Sequence, residues 1–193
     1  FNGSVSYKEV PQKNPKEAKV SYVIDMARPY FLDSIAYLKY PHYADSLIQS
    51  TRSLSVLKSE ENFSVIKLEE ERQRLSNLFR NHGYYYYRPE FSTYRADTLQ
   101  KSGYVSLQVV PRNGIPAEAK KQYYIGNTSV YLTGYDNEPP TDTLRLRTMT
   151  FYYSGKKPGI RPNALMRNVF FRKGELFSQD RQTFSQEAIA RMG

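Results

Sequence analysis

The residues that usually do chemistry are few in this chain, and their spacing argues against catalysis. There is no cysteine, which excludes a thiol nucleophile, a disulfide frame and a cysteine-ligated metal. The two histidines, His42 and His82, sit beside Pro41 and Gly83. They read as boundary residues, not as an acid/base relay or a metal site. The carboxylate run Glu69-Glu70-Glu71 sends three helix neighbours in different directions, so it reads as a solvated face. Residues 154–159, Ser-Gly-Lys-Lys-Pro-Gly, lack the spacing and final Ser or Thr of a phosphate-cradling loop. They read as a turn, with Arg161 near enough for occasional anion contact. No glycine fingerprint for a dinucleotide occurs. The sequence predicts no catalytic residue, no cofactor and no metal.

Surface chemistry remains, and tyrosine dominates it, with 18 tyrosines and 10 phenylalanines among 193 residues. Tyrosine packs a large ring while its hydroxyl stays wet, which suits half-buried sheets and contact surfaces. The densest cluster is Tyr84, Tyr85, Tyr86 and Tyr87, followed by Phe91, Ser92, Thr93 and Tyr94. Read as a strand at a sheet edge, these residues offer free N–H and C=O groups to an extended peptide. Such pairing uses the backbone and tolerates many client sequences. The competing reading packs the tyrosines on their own helices and strands.

The elements that must position this edge show as patterns. Val20, Tyr22, Ile24 and Met26 alternate at period two, and Val5, Tyr7 and Glu9 lie in an earlier extended stretch. A polar loop over 11–16 joins them into a predicted hairpin. Residues 29–38 read as a strand. Leu47, Leu54 and Leu57 give a weaker helical spacing over 43–58. Leu68, Leu75, Leu78 and Phe79 form a helical stripe, with Glu70 and Arg74 as an i,i+4 pair on the wet side. Ser64 is the expected N-cap and Gly83 the expected stop. Residues 84–98 then read as a strand, 97–103 as a turn, and 104–111 as a strand with Val105, Leu107 and Val109 on one face. The order is β-α-α-β-β.

The order then restarts. After a linker at 113–119, residues 122–132 read as a strand, 136–142 as a loop and 144–153 as extended. Residues 163–171 look helical, with Leu165/Val169 and Met166/Phe170 at i,i+4. Ser178 is placed to cap a helix carrying Phe184, Ala188, Ile189 and Met192, which Gly193 ends. Tyr30 to Ile35 aligns without a gap on Tyr123 to Thr128, an offset of 93 residues. Phe63-Ser64 is echoed by Phe177-Ser178. The expected fold is α+β, in units of β-α-α-β-β with a three-stranded mixed sheet covered by two helices. Residues 1–27 would close a preceding unit, 28–112 form a complete one, and 113–193 form another lacking its last two strands. The chain reads as an internal slice of a longer array.

Charge is uneven. The net +9 divides into +2 over residues 1–60, +2 over 61–120 and +5 over 121–193. Such an excess can face nucleic acid, an anionic membrane or an acidic partner, or simply keep a surface soluble. No apolar run approaches the ~20 residues that span a bilayer. No signal peptide is visible, and the chain opens at Phe1 without an initiator Met, so it reads as a mature or excised fragment.

Residues 68–87 resemble the second helix and edge strand of a POTRA (polypeptide-transport-associated) domain. Glu71-Arg72 followed by Arg80-Asn81-His82-Gly83-Tyr84-Tyr85 carries the likeness. Arg95-Ala96-Asp97-Thr98 and Gly103 to Leu107 continue it. Tyr124 to Asn127, Arg161-Pro162 and Gly174 to Ser178 resemble it in the next repeat, although the stretch 136–159 is longer than the simplest pattern. The resemblance implies the periplasmic part of a BamA/TamA-type outer-membrane assembly factor, of a Bacteroides-like lineage. It implies a tether to the outer membrane through a C-terminal barrel not present in this sequence. Implied partners are unfolded outer-membrane proteins and accessory assembly proteins, with no nucleic acid and no catalytic residues. Two alternatives stay open: a basic, tyrosine-rich nucleic-acid-binding module, and a POTRA-type spacer of a secretion or division protein.

Overall fold

A computed structural model describes residues 3–11, 18–26, 28–132 and 139–192. The expected loop residues 12–16 and 136–138, Ala27 in the first linker, and the terminal stop at Gly193 lie outside the described residues. Strands β1 (Ser4–Pro11) and β2 (Ala18–Asp25) form the predicted antiparallel hairpin. Val5 stands opposite Ile24, Tyr7 opposite Tyr22 and Glu9 opposite Val20. These pairs share one face, which is mainly apolar, yet residues 4–10 and 18–25 of the hairpin are all exposed. A lone two-stranded ribbon is marginal in water.

The next unit has the expected order: β3 (Phe31–Tyr37), α1 (His42–Ser50), α2 (Val65–Arg80), β4 (Ser92–Asp97) and β5 (Tyr104–Pro111). The sheet order is β3-β5-β4, with β3 parallel and β4 antiparallel to the central β5. Alternation along β5 buries Val105, Leu107 and Val109. Leu107 and Val109 pack with Leu32, Tyr37, Ile48, Leu75 and Phe79 as one core.

Several local expectations need correction. Helix α1 ends at Ser50, where the Ser50 and Thr51 hydroxyls donate to the Leu47 carbonyl. A short 3-10 turn, Arg52–Leu54, follows, and Leu54 is exposed. Ala44 and Ile48 supply the buried contacts of α1 instead. Ser64 stands at the N-cap of α2 but its side chain makes no capping bond. The solvated face holds only for Glu69 and Glu70; Glu71 has no solvent exposure. Arg74 pairs with Glu71, not with Glu70, through Nε at 3.0 Å and Nη2 at 2.6 Å. The Tyr37 hydroxyl and the Val56 N–H also donate to that carboxylate. A buried charge persists only when paired and hydrogen-bonded, and these donors meet that condition.

The second unit comprises β6 (Thr128–Leu132), β7 (Asp142–Leu146), β8 (Met149–Tyr153), α3 (Pro162–Arg167) and α4 (Gln179–Ala190). Its sheet order, β6-β8-β7, repeats the parallel and antiparallel pairings of the first sheet. The element order differs, because all three strands precede the helices. The stretch expected to be continuous over 144–153 breaks into β7 and β8 at a turn where Arg147 has φ 53°. The strand expected over 122–132 is regular only in β6; Tyr124 instead forms an isolated bridge with Leu176. Helix α3 stops short of 171. Leu165 and Val169 are buried, while Phe170 is exposed. The apolar stripe expected on α4 stays open, with Phe184 and Ile189 exposed and Ser185 buried.

The sequence echo reappears as a bonding pattern. Leu32 N–H donates to Glu61 O, Glu60 N–H to Leu32 O and Phe63 N–H to Tyr30 O. At the corresponding positions Ile125 donates to Glu175, Gly174 to Ile125 and Phe177 to Tyr123. Ser64 and Ser178 have nearly the same backbone angles, φ −137° with ψ 125° and φ −137° with ψ 123°. At the 93-residue offset, Thr128, Ser129 and Val130 match Ile35, Ala36 and Tyr37. The first three pair with β8 and the second three with β5. Strand β8 therefore stands in the second sheet where the closing strand stands in the first.

Candidate functional site

The tyrosine run begins where α2 ends. Gly83 has φ 95°, a left-handed conformation that glycine adopts at no steric cost. Tyr84 N–H donates back to Phe79 O, and Tyr87 N–H to Tyr84 O. Pro89 then opens a 3-10 turn, Pro89–Phe91. Residues 84–91 are therefore a compact turn and not the expected strand. Local β-propensity yields here to the glycine reversal and the helix-end bonds.

Burial sorts the eight candidate residues. Tyr84 and Tyr87 turn inward, edge-on to Phe79 at 5.7 and 4.6 Å between ring centres. Ser92 is buried, sharing hydrogen bonds with the Tyr87 hydroxyl at 3.0 Å and the Tyr40 hydroxyl at 3.1 Å. Half-buried Phe91 lies edge-on to Tyr87. The Tyr94 hydroxyl donates to Leu68 O at 2.6 Å, and Arg72 lies over its ring. Burial pushes Tyr87 up to about 12 and raises Tyr40 and Tyr94 well above the usual phenol range. Tyr37, desolvated and bonded to Glu71, also rises to about 12. These are core phenols held neutral.

Tyr85 and Tyr86 do something else. Tyr85 is edge-on to Phe177 at 4.8 Å, and Tyr86 to Tyr123 at 5.3 Å, so both rings meet the second unit. Around them Tyr123 N–H donates to Gly83 O, and Gln122 Nε2 to His82 O. Ser178 Oγ donates to Asn81 Oδ1 at 3.2 Å. No pattern within the tyrosine run separates these two from their neighbours; the echo Phe63/Phe177 was the available hint that residue 177 anchors a repeated corner.

Of the eight, only Ser92, Thr93 and Tyr94 lie on a strand, and that strand is a sheet edge. The opposite edge of the sheet, β3, is partly covered by its bonds to residues 60–63. Strand β4 bonds to β5 on one side, and among the described residues no other backbone segment bonds to it. Arg112 N–H donates to Phe91 O. Antiparallel alternation then makes 93, 95 and 97 the bonded positions and turns the backbone groups of Ser92, Tyr94 and Ala96 outward. Sequence reading also missed an adjacent cleft of about 550 Å³ lined by Val5, Ile24, Met26, Phe63, Ala96 and Val105. The apolar face of the hairpin, with no partner assigned to it, was the signal that could have found it.

No helix among the described residues is long and apolar enough to cross a membrane. No protein-family model and no curated protein matches the chain. Solved structures similar to the chain include the following two. One is the crystal structure of Haemophilus influenzae BamA POTRA3-5, with TM-score 0.49 and 8% identity, covering 100% of this chain and 62% of that one. The other is POTRA1-3 of the periplasmic domain of Omp85 from Anabaena, with TM-score 0.29 and 14% identity, covering 97% of this chain and 64% of that one. The chain thus spans less than two thirds of either.

Proposed function

We propose that this chain is a periplasmic scaffold region of an outer-membrane β-barrel assembly protein, made of tandem POTRA-type units that receive unfolded polypeptides. The observation that carries the reading is the β-α-α-β-β unit with β4 as its open edge. The Arg80 to Tyr85 motif at its helix end adds the family resemblance. A peptide adding to β4 would bond to the outward groups of Ser92, Tyr94 and Ala96. The neighbouring cleft would take a large apolar side chain from it. Affinity for one short strand is weak, because few anchors are buried. No catalysis is part of this role.

The unit boundaries belong to the same proposal. The hairpin closes a unit before it, and the unit that begins at residue 113 is completed by two further strands, which would take the place beside β6 that β8 holds in this structure. Two exposures support this reading: the apolar hairpin face, and Ile189 at 36% against 0% for Leu75, its counterpart on α2. A spacer role has its own support in the junction of Asn81, Tyr85 and Phe177. Titrating the isotope-labelled chain with extended, aromatic-ended peptides tests the reading. Amide shifts centred on 92–96 are expected. Binding that bypasses β4 would remove the augmentation claim, and no binding at all would leave the spacer.

A further inference from the structure

Residues 143–174 contain eight basic side chains and no acidic one, a formal +8 within a chain of net +9. All eight are exposed, and none lies in an ion pair among the described residues. By contrast, Lys67, Arg72, Arg74, Lys101 and Arg181 elsewhere all meet carboxylates. Arg145 and Arg147 belong to the β7–β8 hairpin. Lys156, Lys157 and Arg161 line the loop into α3, and Arg167, Arg172 and Lys173 gather where α3 ends. Cations at this density, without an ion pair among the described residues, attract an anionic partner.

The apolar residues among them decide which partner. Ile160, 39% exposed, stands beside Arg161 and three residues from Lys157. Phe170, 45% exposed, stands between Arg167 and Arg172. Carboxylates or phosphates alone would satisfy the charge and leave these two side chains in water. A bilayer takes both, with cations at the headgroups and apolar tips at the acyl boundary. Long basic side chains reach headgroups while their stems lie along apolar surface. We infer that the surface of residues 143–174 is a membrane-contact face that seats on an anionic bilayer, with Ile160 and Phe170 as its shallow anchors. This does not rest on the client-binding role.

The test is co-sedimentation of the full 193-residue chain with two kinds of vesicle, phosphatidylcholine alone and phosphatidylcholine with about 30 mol% phosphatidylglycerol. Binding is expected on the anionic vesicles alone and falls steeply with salt. Lys156→Glu/Lys157→Glu and Arg172→Glu/Lys173→Glu each weaken it about tenfold or more. Lys8→Glu/Lys58→Glu carries the same charge change elsewhere and leaves it nearly intact. Ile160→Ser/Phe170→Ser weakens vesicle binding several-fold while a single-stranded oligonucleotide is unaffected. The inference is overturned by indifference to phosphatidylglycerol, or by an equal loss in the Lys8/Lys58 variant. It is also overturned if the oligonucleotide binds more tightly than vesicles and the Ile160/Phe170 change does nothing. If a charge variant unfolds, the wild-type lipid dependence and the Ile160/Phe170 variant still decide.

Discussion

Asn81 and Asp180 grip each other twice. The Asn81 amide donates to Asp180 Oδ2 at 2.7 Å, and its Oδ1 accepts the Asp180 backbone N–H at 2.9 Å. The end of α2 is thereby tied to the start of α4. Asn81→Ala removes both bonds and the Ser178 contact. A loss of about 1–2 kcal/mol is expected, read as faster amide exchange across 81–87 and 175–181 with little change in β4. Gly83→Ala should loosen the same junction, since its Cβ would lie 2.8 Å from Leu176 Cδ2 at φ 95°.

Glu71 differs from its two neighbours only by position. Glu71→Ala strands the Arg74 guanidinium, the Tyr37 hydroxyl and the Val56 N–H inside the first unit. Urea unfolding should show a loss of about 3–5 kcal/mol. Glu70→Ala, on the exposed side, should stay within about 0.5 kcal/mol. Equal effects would contradict the network.

Alkali should unfold the first unit through its phenols. Tyr37 and Tyr87 rise to about 12 in the folded state, and Tyr40 and Tyr94 rise too. A raised folded value means the native state holds the phenolic proton more tightly. That stability is fully present below the unfolded phenol value of about 10 and is lost as pH climbs through about 12. Each two-unit shift is worth about 2–3 kcal/mol. Tyrosinate absorbance should therefore rise in two phases, the later one coincident with loss of helical circular dichroism.

Ala96→Pro separates edge binding from folding. It deletes an outward N–H and spares the bonds to β5, so stability should change by less than about 1 kcal/mol. Peptide pairing at β4 should fall several-fold. Arg95→Pro removes an inward N–H and should destabilise the sheet itself. Unchanged peptide affinity in Ala96→Pro would place any binding elsewhere.

Glu60 carries φ 65° at the position where the second unit has Gly174 with φ 85°. A left-handed backbone costs a non-glycine residue about 1–2 kcal/mol. Glu60→Gly should therefore raise the melting temperature slightly, because among the described residues the side-chain bond it forfeits is a 3.4 Å contact from the Tyr104 hydroxyl.

Periodic features were legible before the structure. The alternation of Val105, Leu107 and Val109, the pair Leu75 and Phe79, and the echo of Tyr30 in Tyr123 all report local geometry, which composition and spacing record directly. Features set by distant partners were not. In Glu69-Glu70-Glu71 only the last residue falls on the stripe of Leu68 and Leu75, but its partner Tyr37, 34 positions away, left no trace in that spacing. The run Tyr84 to Tyr87 has the composition of a strand, and only the left-handed Gly83 and the packing on Phe79 fold it into a turn. The strand expected from Tyr84 therefore begins eight residues later, at Ser92.

The bonds of residues 60–63 to β3, and their copies at 174–177, have a further consequence. They shield one side of the first sheet and leave β4 as its ledge, while β7 ends the second sheet. The Asn81 junction couples the two. If β4 takes up an extended polypeptide as proposed, β7 is a second sheet edge on the same chain, and a contact there would be intramolecular. Two weak edges joined in this way would act by avidity, with a strength set by their spacing more than by either strand alone.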